Sequence, residues 1–423
     1  MKKILFIILI SIIFCNISAQ DISYARSIIS ELSSQKFHGR GYKDGGIDSA
    51  ACFIENQFKE IGLKPIEKTF FQEFNFPTNI FHHIKLAFDE KLLEPAIDYL
   101  PNIHSCNVSD DFLTIKIDEK IRNNPKKLNK LIPKIKGKVL FLNRFETKDK
   151  TALNWYDNVA ISNPYNAAGI IVLDSSFTYN IAEYYPQFTH FLIQLAPKSF
   201  PEKNVKKVHC EIKKDYVKNF PAKNIVSYLQ GQEYSDSFIV ITAHYDHLGK
   251  LENNIFPGAN DNASGIAMML DLAKNIKQQN FRPRYSLVFI ALTGEEVGLF
   301  GSKYFVDNPI IDLKKIKFLI NLDMVGTGSS GISVVNATIF KEQFNKLKQI
   351  NDDNNFITNI SQRGAACNSD HCPFFEKGVP SFFIYTTGKE FNEYHNTKDK
   401  ADSIPLTAYE GLFNLIKLFI YSF

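Results

Sequence analysis

From about residue 222 onward, continuous apolar runs alternate with helix-patterned segments, and no other feature restricts the fold as strongly. "DSFIVITAHYD", "RYSLVFIALTGEE", "KIKFLINLDMVG" and "VPSFFIYTT" are apolar on successive residues rather than on every second one. Strands of that texture are buried on both faces, as they are in a parallel sheet covered by helices. Between them "ASGIAMMLDLAKNIKQ", "VGLFGSKYFVDN" and "KEQFNKLKQINDD" read as helices, and a last helix is expected after Pro405. The predicted fold class is α/β, a mainly parallel central sheet flanked by helices. Sheets of this kind place their ligands at the carboxyl ends of the strands.

The first ninety residues contain a leader and the start of this unit. "MKKILFIILISIIFCNISAQ" sets two lysines before an apolar run of about eleven residues, then small and polar residues near Ala19. That pattern predicts a secretory signal peptide over 1–19 and a secreted or periplasmic protein with no stable membrane insertion after cleavage. The run is shorter than the ~20 residues of a spanning helix. Lipid attachment at Cys15 is disfavoured by the bulky Phe14 before it. "ISYARSIISELSS" and "DSAACFIENQFKEIGLKPIEK" then read as helices, the second stopped near Gly62. Residues 90–215 differ in texture, with short β-rich runs and Lys-rich spacers, and are expected to form a β-rich inserted domain. The parts at 20–89 and 216–423 would then close into one larger domain.

The formal charge of +4 falls to +2 when Lys2 and Lys3 leave with the leader, which gives no electrostatic case for nucleic acid. Oligomeric state is not legible. Five cysteines remain after Cys15, and in an oxidising compartment "CNSDHC" can close a Cys367–Cys372 loop. A Cys106–Cys210 bridge is a second option, leaving Cys52 as a buried helical thiol; the odd count keeps the pairing open. No cysteine cluster has the form of a thiolate zinc site, so a metal would rely on histidine and carboxylate.

Those residue types gather at the strand ends. His244 and Asp246 close the first strand in "AHYDHLG". Asp261 lies in "GANDNASG", where Asn262 and Ser264 can cap the next helix. Glu295 and Glu296 follow the second strand, Asp323 ends the third in "NLDMVG", and His395 follows the last in "EYHNTKDK". A single histidine at a strand end is usually a satisfied polar group. Carboxylates crowded at one sheet edge repel unless positive charge sits among them. A pair of divalent cations would supply it, and mixed imidazole and carboxylate ligands favour zinc, with manganese or cobalt as alternatives.

"AHYDHLG", "GANDNASG", "TGEEVGLFGS", "NLDMVG" and "YHNTKD", in that order, resemble the M28 family of zinc peptidases, typified by secreted bacterial aminopeptidases. "GRGYKDGG" and "FKEIGLKP" resemble the N-terminal segment of that family. The resemblance implies two Zn2+, with His244 and Asp323 on one, Glu296 and His395 on the other, and Asp261 bridging both. It further implies Asp246 holding the His244 ring, Glu295 as general base and Tyr394 as an oxyanion-stabilising group, with Asp399 as a candidate to orient His395. His247, Asp370 and His371 are expected as hydrogen-bonded loop residues. A cis peptide is expected after Asp261. "GKVLFLNR" and "NAAGIIVLDSS" resemble a protease-associated (PA) domain. The implied activity is removal of N-terminal residues from peptides with a free N-terminus. Glutaminyl cyclase, another zinc amidohydrolase or a carboxypeptidase are alternatives on the same fold, and a non-catalytic binding protein is a more distant one.

Overall fold

The computed structural model describes residues 20–144, 147–174, 177–182, 186–199, 205–279 and 282–423. The expected leader lies outside the described residues. Among those residues no helix is long and apolar enough to cross a membrane.

The four apolar runs form strands Tyr234–His244, Tyr285–Leu292, Ile316–Leu322 and Ser381–Thr387. The 234–244 strand is central, paired in parallel with 285–292 on one side and 316–322 on the other, and 381–387 continues in parallel beyond 316–322. Ile239, Ile241, Val288, Ile290, Leu319 and Ile320 are fully buried, as continuous apolar strands require. Strand Gly331–Val335 lies antiparallel to 381–387, with Ile360–Gln362 parallel beyond it at the edge, and 285–292 is flanked antiparallel by the long strand Lys207–Leu229. Helix Ser264–Gln278, buried along most of its length, packs on the sheet together with Ile22–Leu32 and Tyr409–Tyr421. Helix Gly46–Ile61 ends at Gly62, whose φ of 82° is the left-handed stop that glycine adopts without strain.

Lys207–Leu229 also joins the two regions of the molecule. It pairs antiparallel with Phe71–Phe88 over most of its length and with Val108–Ile117 near its start, so residue 216 lies inside a continuous strand. From Val108–Ile117 the sheet runs on through Val139–Asn143, Gly169–Leu173 and Phe191–Leu195, all in parallel. These are the runs of "GKVLFLNR" and "NAAGIIVLDSS". Helix Lys150–Ser162 packs Tyr156 and Val159 against this smaller sheet, so the middle region contains helices that its β-rich texture did not foretell.

Cys367 and Cys372 are bonded, as expected. Among the described residues Cys106 and Cys210 are free, which corrects the second bridge. Cys52 is exposed, not a buried thiol: its helix buries Ile47, Ala50, Ala51, Ile54 and Phe58 instead.

Candidate metal centre and active site

His244 is the last residue of its strand, Asp323 follows Leu322 at the end of the next, and Glu295 and Glu296 come just after Leu292. The carboxyl ends of three neighbouring strands therefore deliver these side chains to one place. Asp261 reaches it from the turn before helix 264–278, where the Asp261–Asn262 peptide is cis, as the resemblance implied. His395 reaches it from the segment beyond 381–387. A cavity of about 290 Å3 opens among His244, Asp261, Glu295, Asp323, Tyr394 and His395.

The two histidines share one geometry. His244 Nδ1 faces the Asp246 carbonyl at 3.2 Å, and its Nε2 lies 3.3 Å from Asp261 Oδ1 and 3.4 Å from Asp323 Oδ1. His395 Nδ1 faces the Tyr179 carbonyl at 2.8 Å, and its Nε2 lies 3.1 Å from Asp261 Oδ2 and 3.2 Å from Glu296 Oε2. A carbonyl accepts only, so each Nδ1 carries the proton and a neutral ring turns its Nε2 lone pair toward two carboxylate oxygens. That arrangement is repulsive unless a proton or a cation lies between. With protons alone as the positive charge, burial would lower the His395 pKa, but Glu296 and Asp261 outweigh it and push it up to about 11. His244 is driven well above its usual range by Asp323, Glu295 and Asp261 against the same burial. A divalent cation at each Nε2 meets the same demand, and these donors suit one. His244, Asp261 and Asp323 present atoms close enough for one ion; His247, Asp261 and Glu296 form a second such group.

The adjacent glutamates face different surroundings. Glu295 lines the cavity and is half-buried. Glu296 is buried behind it, with His395 on Oε2 and His247 Nδ1 at 2.6 Å from Oε1. Asp246 fixes the turn that separates them. Its carboxylate accepts the Tyr42 hydroxyl at 2.5 Å and the backbone N–H groups of Glu295 and Glu296 at 3.3 and 3.2 Å. Burial raises the Glu295 carboxyl well above its usual range, and nearby Asp323 and Glu296 add to this against His244. For Glu296, burial is outweighed by His395 and His247, which hold it below the usual range.

Several supporting residues were hidden from sequence. Arg40, fully buried, donates to the carbonyls of Leu32, Tyr245, Pro257, Gly258 and Asp261. Gly258 must be glycine there: its φ is 60°, and a Cβ would lie 2.2 Å from the Asp261 carbonyl oxygen and 2.5 Å from Arg40 Nη2. Ser369 donates to Asp323 Oδ2 at 2.7 Å from within the disulfide-closed loop.

Several expectations change in detail. Asp399 does not orient His395; its carboxylate accepts the N–H groups of Asn260 and Asp261 at 2.8 and 3.0 Å, and the Tyr179 carbonyl faces the imidazole instead. Asp246 meets His244 through its backbone carbonyl, its carboxylate standing off at 3.7 Å. His247 is hydrogen-bonded, as expected, yet its contact is Glu296, and among the described residues its buried Nε2 has no partner. Asn262 caps its helix by accepting from Gly265 N–H at 2.9 Å, whereas Ser264 lies inside the helix and donates to the Asn260 carbonyl. Asp370 is buried and bonded to Ser302 just before helix His371–Glu376, and His371, expected in a loop, instead opens that helix, buried and bonded to the Ala366 carbonyl. Tyr394 is 44% exposed and stacks on His395 with centroids 3.8 Å apart.

Comparison with known proteins agrees with this geometry. Residues 224–420 match the profile of Peptidase family M28. Aminopeptidase YwaD of Bacillus subtilis is 30% identical over 217 residues, covering 48% of this chain and 45% of that protein. Leupeptin-inactivating enzyme 1 of Streptomyces exfoliatus is 31% identical over 170 residues, covering 36% of this chain and 38% of that protein. The chain thus spans less than half the length of these curated relatives. Among solved structures, BSAP, a zinc aminopeptidase from Bacillus subtilis, superposes with a TM-score of 0.71 at 20% identity, over 95% of this chain and 94% of its own. That likeness shows the fold, a mainly parallel sheet flanked by helices. Residues 224–420 thus carry a Peptidase family M28 domain.

Proposed function

We propose that this protein is an exported aminopeptidase that binds two zinc ions through His244, Asp261, Glu296, Asp323 and His395 and hydrolyses peptides with a free N-terminus. The observation that carries the reading is the pair of imidazole Nε2 atoms, each aimed at two carboxylate oxygens that meet at the shared Asp261. His244 and Asp323 would hold one ion and Glu296 and His395 the other, with Asp261 within reach of both. His247 holds the free oxygen of Glu296. BSAP, a zinc aminopeptidase of the same fold, supports the choice of metal. Bound there, such ions acidify water at neutral pH and polarise a peptide carbonyl.

The chain's own groups move the protons and steady the charge. Glu295, open to the cavity, takes a proton from the attacking water and passes it to the leaving amine. The Tyr394 hydroxyl donates to the carbonyl oxygen as negative charge grows on it. Asp246, through two backbone N–H groups, keeps Glu295 turned to the cavity while Glu296 stays behind. The region 90–215, read as a PA-like insert, frames the site from one side, and the leader 1–19 directs export.

The test is hydrolysis of a panel of aminoacyl-p-nitroanilides, with zinc per chain measured in parallel. Activity that falls with chelator and returns with zinc is expected. Cleavage untouched by chelator would refute the mechanism.

A further inference from the structure

The cavity that contains the candidate ligands has a cationic side that the chemistry above leaves unused. Arg363 follows strand Ile360–Gln362, is exposed, and lines the cavity with Tyr385, Phe383 and Asn368 beside the candidate ligands. Its main chain is fixed on both sides: the N–H donates to the Val334 carbonyl at 2.9 Å, and its carbonyl accepts from Thr338 N–H at 3.2 Å. Its guanidinium donates from Nη1 to the Tyr385 hydroxyl at 2.8 Å and sits 5.8 Å from that ring's centroid. Tyr385 is in turn set by strand 381–387 and by Phe383, whose ring lies 5.2 Å away. Among the described residues no carboxylate pairs with this guanidinium.

A guanidinium has five N–H donors, and the Tyr385 hydroxyl takes one of them. The remaining donors form a planar fork suited to a carboxylate. Two divalent ions would match the charge of Asp261, Glu295, Glu296 and Asp323, so Arg363 leaves the loaded cavity net positive. We propose that Arg363 is a specificity residue that binds a carboxylate of the substrate. That carboxylate is either the side chain of an N-terminal Asp or Glu, or the C-terminal carboxylate of a dipeptide. The inference rests on the aminopeptidase reading and narrows its substrate class.

The test compares isosteric pairs that differ in charge, using the zinc-loaded full-length protein. Glu-p-nitroanilide against Gln-p-nitroanilide probes the side-chain source, and Leu-Gly against Leu-Gly-amide probes the C-terminal one. The wild type is expected to favour the carboxylate member of one pair in kcat/KM. Arg363→Gln should cut that ratio by about tenfold or more, and Arg363→Lys, a point charge without the fork, should retain part of it. Ratios equal in wild type and R363Q for both pairs overturn the proposal. If no unblocked substrate is cleaved, the aminopeptidase reading falls separately. Calorimetric titration with glutamic acid α-amide and glutaminamide, and with the two dipeptides, then decides the role of Arg363. Tighter binding of a carboxylate member in wild type but not in R363Q supports it, and equal binding overturns it.

Discussion

The carbonyl oxygen of Tyr179 lies 2.8 Å from Nδ1 of His395, and the Tyr179 N–H donates to the His395 carbonyl at 3.0 Å. The pair ties segment 177–182, which belongs to the middle region of the chain, to a candidate metal ligand more than 200 residues later. The Tyr179 ring stacks on Phe256 with centroids 5.0 Å apart, which anchors the segment against the body that bears the site. Partners of this kind fix the tautomer and direction of a ligating imidazole. Tyr179→Ala removes the stack and frees the carbonyl to wander. It is expected to lower zinc affinity or kcat/KM by about tenfold, while Tyr179→Phe, which keeps ring and backbone, stays near wild type. Zinc competition with a chromogenic chelator measures the first quantity, and an Ala variant with wild-type affinity and turnover would remove the middle region from the site.

Glu295 and Glu296 differ in surroundings, and their variants should differ in kind. Glu295→Gln is expected to lose turnover by at least about a hundredfold, the scale of general acid–base catalysis, with zinc per chain near wild type. Glu296→Gln removes a charge that His395 and His247 both contact, so zinc content itself should fall. Elemental analysis beside steady-state rates separates the two. Equal metal loss in both variants would show that the roles are divided wrongly.

What sequence could reveal here follows from which groups make the contacts. Strands 234–244 and 316–322 were legible because their inner stretches, Ile239, Val240 and Ile241 in one and Phe318, Leu319 and Ile320 in the other, are buried on both faces and so apolar on successive residues. His244, Asp261, Glu295, Glu296, Asp323 and His395 were legible as a cluster because polar side chains at successive strand ends are costly unless they share a task, while the choice of ligands among them came from the family resemblance. Tyr179 was not, because the group it offers is a backbone carbonyl that every residue carries. Arg40 was hidden for the same reason, since all five of its acceptors are backbone carbonyls. Asp399 stands within a few residues of His395, and proximity in sequence suggested the wrong partner; the amides of Asn260 and Asp261 sit closer in space.

Asp271 offers a pH test away from the metal site. It is buried on helix 264–278 and accepts from Gln20 Nε2 at 2.8 Å. Burial first, and then Asp21, raise its pKa from 3.8 to about 6. The folded state therefore binds this proton more tightly than the unfolded chain does. The contribution is complete below about pH 4 and disappears as pH rises through the folded value. A shift of that size is at most about 3 kcal/mol. Asp271→Asn should raise the thermal midpoint at pH 8 relative to wild type, with the gap closing toward pH 4. A gap independent of pH would locate the effect outside this carboxyl.

Arg40 combines a buried charge with five backbone acceptors, and that sets what its replacement must do. Burial lowers its pKa to about 10 despite Asp399 and Asp261, so it remains charged at neutral pH. Arg40→Met leaves the carbonyls of Leu32, Tyr245, Pro257 and Asp261 without this donor in a buried site, while Gly258 keeps the Ala263 N–H. The expected loss is about 3–5 kcal/mol, the range for breaking a buried charged contact, read as a lowered midpoint in urea. Arg40→Lys keeps the charge but has three donors on one atom, which cannot reach acceptors spread around a planar fork. It should fall between wild type and Met. Because Asp261 is among the five, the Lys variant should also bind zinc more weakly than its loss of stability alone explains, measured well below its unfolding midpoint. A Met variant that unfolds with the wild-type midpoint would show that the loop before Asp261 is held by other contacts.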